Sequence, residues 1–226
     1  MNTRLELGRI AGIPIFLDMF FVLVIILFSS RWFTSGNADM MSIGLVIVVG
    51  LILSILLHEL GHAFAARAFK IGVSHIDLTG LGGIAHFERS LPPSVIVRTI
   101  VFLAGPAANL ALWYLFSWLA TQAFSAGKPM LATPLGYLSS INMQLMIFNL
   151  LPAYPLDGGH TLDAWIGKLG GSDWALRIVG ALGLAVAAFV GYLALPASFF
   201  MLLLAFFLAQ TNWEAIQSAG RFRGRR

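Results

Sequence analysis

Residues 43–69 form an apolar run of the length that crosses a bilayer, yet His58-Glu59-Leu60-Gly61-His62 lies inside it. Apolar runs of about 20 residues recur along the chain, and this constrains the fold most strongly. In hydrocarbon every backbone group must be satisfied within the segment, so each run has to be a helix. The embedded motif is the exception that needs explaining. An ionisable side chain at bilayer depth costs roughly 2.5–3.5 kcal/mol on insertion scales, and three within five residues require a shared partner. Residues four apart on a helix share a face, so His58 and His62 can reach one cation. Glu59 lies beside that face, where it can take a proton from a metal-bound water.

Composition agrees with a polytopic membrane protein: 58% of the 226 residues are hydrophobic and 11% are charged. Without cysteine, disulfides and thiolate ligands are excluded, and a metal must use His, carboxylate or water. No linker marks off a second module, so residues 1–226 read as one integral-membrane domain. The fold class expected is all-α, with about six transmembrane helices and a small membrane-associated β-hairpin after the second. The net charge of +4 is scattered between the runs and implies a lipid bilayer as partner, not nucleic acid.

In chain order, the first span is expected over about Ile13–Ser29, although Asp18 falls inside it. The second runs from Met41 to Phe69, with the motif in the half nearer Lys70. Residues 72–90 are too polar and glycine-rich to span. Alternation of Ile76 and Leu78 with Asp77 and Thr79, then Gly82-Gly83, suggests a short hairpin, with an irregular loop as the alternative. The third span, about Val95–Ala120, contains Gly105-Pro106 and Asn109, the latter read as an interhelical hydrogen-bonding residue. The fourth, about Pro134–Leu151, carries a polar stripe of Ser139, Asn142 and Asn149, as a helix lining a cavity does.

The chain then breaks at Pro152-Ala-Tyr-Pro155-Leu-Asp157-Gly158-Gly159-His160, where the glycines permit a tight turn beside a carboxylate. A short surface helix is expected over 161–173. The fifth span is Trp174–Leu195, with Gly183, Ala187 and Gly191 as a small-residue face. Pro196 turns into a sixth run ending near Trp213, before the basic tail Arg221–Arg226. With six spans, twelve Lys and Arg fall on the side of the termini and only Arg31 and Lys128 on the other. That asymmetry places both termini in the cytoplasm.

Two imidazoles leave a tetrahedral site short of one protein ligand and a water. Asp157, His160, His86, Glu88 and Asp18 are candidates for the third position. Asp157 is the best placed, in a breaker-rich loop on the same side of the membrane as the motif.

His58-Glu-Leu-Gly-His62, followed downstream by Asn149-Leu-Leu-Pro152-Ala-Tyr-Pro-Leu-Asp157-Gly158, resembles the H-E-x-x-H and N-x-x-P-x-x-x-x-D-G signatures of the site-2 protease family of intramembrane zinc metalloproteases. Gly82-Gly83-Ile-Ala and Gly105-Pro106-x-x-Asn109 also match family patterns, and the likeness runs from about residue 8 to 210. It implies one zinc ion per chain held by His58, His62 and Asp157, and Glu59 as the catalytic glutamate. It further implies a core over about 41–160, with Asn149 near the site as a substrate-contacting or oxyanion-stabilising amide. The substrates implied are single-span or otherwise membrane-anchored proteins. No loop or tail is long enough for the PDZ or CBS domains of many members, so a minimal member is expected. The rival reading, a metal transporter using the same ligands, would want further ionisable groups staged along several spans.

Overall fold

The computed structural model describes residues 4–80, 82–195 and 199–219. In chain order its elements are β1 (Arg4–Ile10), β2 (Ile13–Asp18), α1 (Met19–Phe33), α2 (Ala38–Ala68), β3 (Val73–Thr79), β4 (Gly82–Phe87), α3 (Val95–Ser125), α4 (Pro129–Asn149), α5 (Asp157–Gly170), α6 (Ser172–Ala194) and α7 (Phe199–Ser218). They fall into two compact units. The first is Met1–Ser90 with Ala104–Met146, and the second is Leu91–Leu103 with Ile147–Arg226. The basic tail Arg221–Arg226 and the turn at Pro196 lie outside the described residues.

Among the described residues three helices, α2, α3 and α6, are long and apolar enough to cross a membrane. Their outward faces carry large apolar side chains, such as Leu45, Val49 and Leu53 on α2 and Leu110 and Trp118 on α3. Such surfaces are stable against lipid and not against water. The chain is therefore a mainly helical integral membrane protein.

The first unit departs from the sequence reading at its start. Residues 13–29 are not one helix: Ile13–Asp18 is a strand and the helix begins only at Met19. The cause is local. Ile13 and Ile15 alternate into the core while Asp18 caps α1, its Oδ1 accepting the Phe20 N–H at 2.7 Å. Ala11 and Gly12, both at positive φ, close a two-residue hairpin between Ile10 and Ile13. Arg67 near the end of α2 donates to Ala11 O at 2.6 Å, fixing that turn. The result is a four-stranded sheet in the order β1-β2-β3-β4. β1 and β2 are antiparallel, as are β3 and β4, while β2 and β3 are parallel with Ile15 opposite Ile76. Ile13, Ile76 and Leu78 are fully buried in it.

In the second unit α6 lies against α7 across small residues. Gly183 has no room for a β-carbon, because the Asn212 amide occupies that space. Ala153, Leu156, Ala187 and Leu208 form the buried apolar cluster of this unit. Asn212, fully buried, holds the chain leading to α5. Its Oδ1 accepts the Tyr154 N–H at 3.0 Å, and its Nδ2 donates to Tyr154 O and to Leu208 O, each at 2.7 Å. Asn212→Ala is expected to leave both Tyr154 backbone groups without partners, at about 1–3 kcal/mol for each. Thermal unfolding in detergent should show a clear fall in Tm, against no change for Gln210→Ala on the exposed side of α7.

Candidate metal centre

His58, Glu59 and His62 are 7%, 5% and 7% exposed, so the polar motif of α2 is buried in protein. The two imidazoles stand edge-on, with centroids 4.8 Å apart and planes at 85°. Their Nε2 atoms are 3.2 Å apart. Four ligands at zinc's usual 2.0–2.1 Å bond length form a tetrahedron with edges of about 3.3–3.4 Å. The pair is thus spaced as two neighbouring ligands would be.

A chain of amides fixes which nitrogen of His58 faces the site. It starts at Leu138 O, which can only accept. Asn142 Nδ2 donates to that carbonyl at 2.8 Å and to Ser54 Oγ at 2.9 Å, so Asn142 Oδ1 is an acceptor. Asn109 Nδ2 donates to it at 2.9 Å, which makes Asn109 Oδ1 the acceptor from His58 Nδ1–H. The proton of neutral His58 therefore sits on Nδ1, and Nε2 presents its lone pair. Asn109, Asn142 and Ser54 are all almost wholly buried. The polar stripe of α4 thus differs from the cavity-lining role expected for it. Asn142 contacts α3 and α2, and Ser139 Oγ lies 2.7 Å from Ser117 Oγ and 3.3 Å from Trp113 O, both on α3.

Glycines leave the space the site needs. A β-carbon at Gly105 would collide with Nε2 of both His58 and His62, so α3 passes the ligand face with bare backbone. At Gly61, within the motif, it would come 2.6 Å from Ala104 O, which explains the small residue between the histidines. At Gly83 it would strike the Glu59 side chain, so β4 runs directly against that carboxylate.

Asp157, 8% exposed, is the first residue of α5, where the unpaired N–H groups of the first turn favour a carboxylate. Gly158 and Gly159 belong to that helix and do not form the expected turn. Side chains there would meet Leu150 O and Ala153 O, so the glycines let α5 start hard against the preceding loop. Tyr154 Oη donates to Asp163 Oδ1 at 2.8 Å, and Arg98 Nη2 to Asp163 Oδ2 at 2.9 Å. Burial, then the Asp163 carboxylate, pushes the Tyr154 phenol well above its ordinary range, so it stays a donor.

His58 and His62, both buried, are the two candidate ligands that α2 brings together. The other residues weighed for the third position have contacts of their own. Asp18 is the cap of α1, and His86 belongs to a different group on the sheet. Glu88 lies against Gly72, and His160 stacks on Phe102 with centroids 4.8 Å apart. Asn149 ends α4, half-buried. Sequence reasoning missed Ser54 and the link from Asn142 through Asn109 to His58. The available signal was the presence of Asn109 and Asn142 within otherwise apolar spans.

Comparison with known proteins points one way. Residues 46–133 and 122–193 match the model of peptidase family M50. A zinc metalloprotease of Methanocaldococcus jannaschii is 30% identical over 190 residues, covering 83% of this chain and 52% of that protein. The stage IV sporulation protein FB of Bacillus subtilis is 30% identical over 113 residues, covering 50% of this chain and 37% of that protein. The chain thus spans about half the length, or less, of these curated relatives. Among solved structures, a site-2 protease from Methanocaldococcus jannaschii matches with a TM-score of 0.69 at 25% identity, over 94% of this chain and 95% of that one.

Asn109→Leu is expected to release the His58 tautomer and weaken zinc about 10–100-fold, the usual cost of losing such a support. Gly105→Ala should weaken it at least as much by displacing both rings. Competition with a chromophoric chelator on the purified protein measures both.

Proposed function

Since the chain belongs to peptidase family M50, we propose that it is an intramembrane zinc metalloprotease that hydrolyses a peptide bond in or near the membrane segment of an anchored protein. The observation that carries this reading is the buried His58–His62 pair, its Nε2 atoms at ligand spacing and Glu59 next to it in sequence. Asp157 is proposed as the third ligand, and residues 1–226 as one metalloprotease domain with its catalytic core at about 41–160. The described residues offer no second set of ligands along α2, α3 or α6 for a transport path.

A zinc ion held by these residues would supply the Lewis acidity that activates water and a peptide carbonyl. Glu59 accepts the water's proton and returns it to the leaving amine. Burial of the site keeps that carboxylate out of bulk water, and Gly83 leaves β4 close enough to confine it. Asn149 is assigned to donate to the developing oxyanion. A substrate helix must unwind before cleavage, because its carbonyls are engaged within the helix. β4 is an outer strand of the sheet, so its open edge can pair with the extended segment. We also assign six crossings, both termini in the cytoplasm and the sheet at the cytoplasmic membrane surface.

Glu59→Gln is expected to bind zinc like the unaltered protein while cleavage of a co-reconstituted single-span substrate falls about 10²–10⁴-fold. Cleavage by Glu59→Gln at the normal rate removes the base assignment. Chelation should stop the unaltered protein, with activity restored by added zinc.

A further inference from the structure

A second group of ligand-bearing side chains sits on the sheet. His75 and Asp77 are two apart in β3 and so share a face, and His86 of β4 is the register partner of His75. His75 Nε2 lies 3.5 Å and His86 Nε2 3.1 Å from Asp77 Oδ2. The imidazoles stack, with centroids 4.3 Å apart and planes at 12°. Asp77 is only 3% exposed. Its Oδ1 has no hydrogen-bond partner, and His86 Nε2 has none either, since its approach to Oδ2 is off the line a hydrogen bond needs. An unsatisfied buried carboxylate oxygen is a cost that a partner must offset.

Ser74 decides what His75 offers. Its hydroxyl donates to His86 O at 3.1 Å, which uses its single proton. Ser74 Oγ must then accept from His75 Nδ1–H, 2.9 Å away. Nε2 of neutral His75 consequently turns a lone pair toward the Asp77 carboxylate. This is the arrangement of a ligating histidine, with one nitrogen protonated and held by an outer acceptor and the other aimed at the metal. Unless a cation or a proton lies between them, the lone pairs repel.

We propose that His75, Asp77 and His86 form a second metal site, separate from the catalytic one, for a divalent cation of the zinc class. Two imidazoles and one carboxylate suit zinc, cobalt or nickel and not magnesium or calcium. Arg4 competes for the carboxylate, with Nη1 3.0 Å from Asp77 Oδ2 and its side chain 48% exposed. Because that side chain can swing into solvent, the cation displaces it, and the site is weaker than one without such a rival. A bound ion bridges β3 and β4 three residues from Gly83, the glycine packed on Glu59.

The test is zinc stoichiometry on the full chain in detergent, followed by visible absorption after cobalt substitution. The unaltered protein is expected to hold two equivalents. His58→Ala/His62→Ala should keep one, with cobalt d–d bands that disappear when His75→Gln/His86→Gln is added. Arg4→Gln should tighten the weaker site about tenfold by removing one neighbouring positive charge, and leave the tighter site unchanged. The proposal is overturned if the unaltered protein saturates at one equivalent and His58→Ala/His62→Ala holds none, or if Arg4→Gln changes neither affinity. Failure of the protease reading looks different: the unaltered protein would hold one equivalent, lost in His75→Gln/His86→Gln and kept in His58→Ala/His62→Ala.

Discussion

The carbonyl of Leu138 has no choice of role, and the polarity of the buried site follows from that. Because it can only accept, Asn142 must offer its NH₂, Asn109 must follow suit, and His58 must hold its proton on Nδ1. Inside a membrane protein such a chain is not loosened by competing water, so each link strengthens the next. The imidazole nitrogen is thereby directed through residues of the first unit on three helices, with Leu138 and Asn142 on α4, Asn109 on α3 and His58 on α2. Replacing any link with an apolar residue would strand its neighbour in a dry interior, where an unmet amide costs far more than an absent one.

Glycine plays the complementary part. Gly61 and Gly105 bring α3 against α2, and Gly83 brings β4 against Glu59. Gly158 and Gly159 do the same for α5 and the loop before it. Small residues in membrane helices usually let two backbones touch. At Gly105 the space admits the nitrogens of His58 and His62 instead, so the same lack of a side chain makes room for polar groups.

The motif on α2, the breaker-rich loop before Asp157 and the long apolar helices were readable from residue type and spacing, and strands within 72–90 were suggested with an irregular loop left open. They rest on local rules: four-residue helical spacing, the proline restriction and period-two alternation. The start of the chain was misread, because Ile13–Asp18 has the composition of a span and becomes a strand only through pairing with β1 and β3. Nothing local announces that pairing beyond Ala11-Gly12, a weak turn signal. Ser54 escaped for a similar reason. A serine in an apolar helix commonly bonds back to its own turn, as Ser54 does to Gly50 O at 2.7 Å. Its second bond, to Asn142, needs a residue 88 positions away.

The parallel pairing of β2 with β3 has a consequence for the integrity of the molecule. An interior strand such as β3 is flanked on both sides, and here one flank comes from residues that precede the first helix. Proteolytic trimming up to Met19 would leave every apolar helix in place and still lay bare a row of backbone amides and carbonyls along β3. That raw margin invites pairing with a strand of another molecule. The β1–β2 hairpin thus works as a hem, keeping the sheet from unravelling into its neighbours.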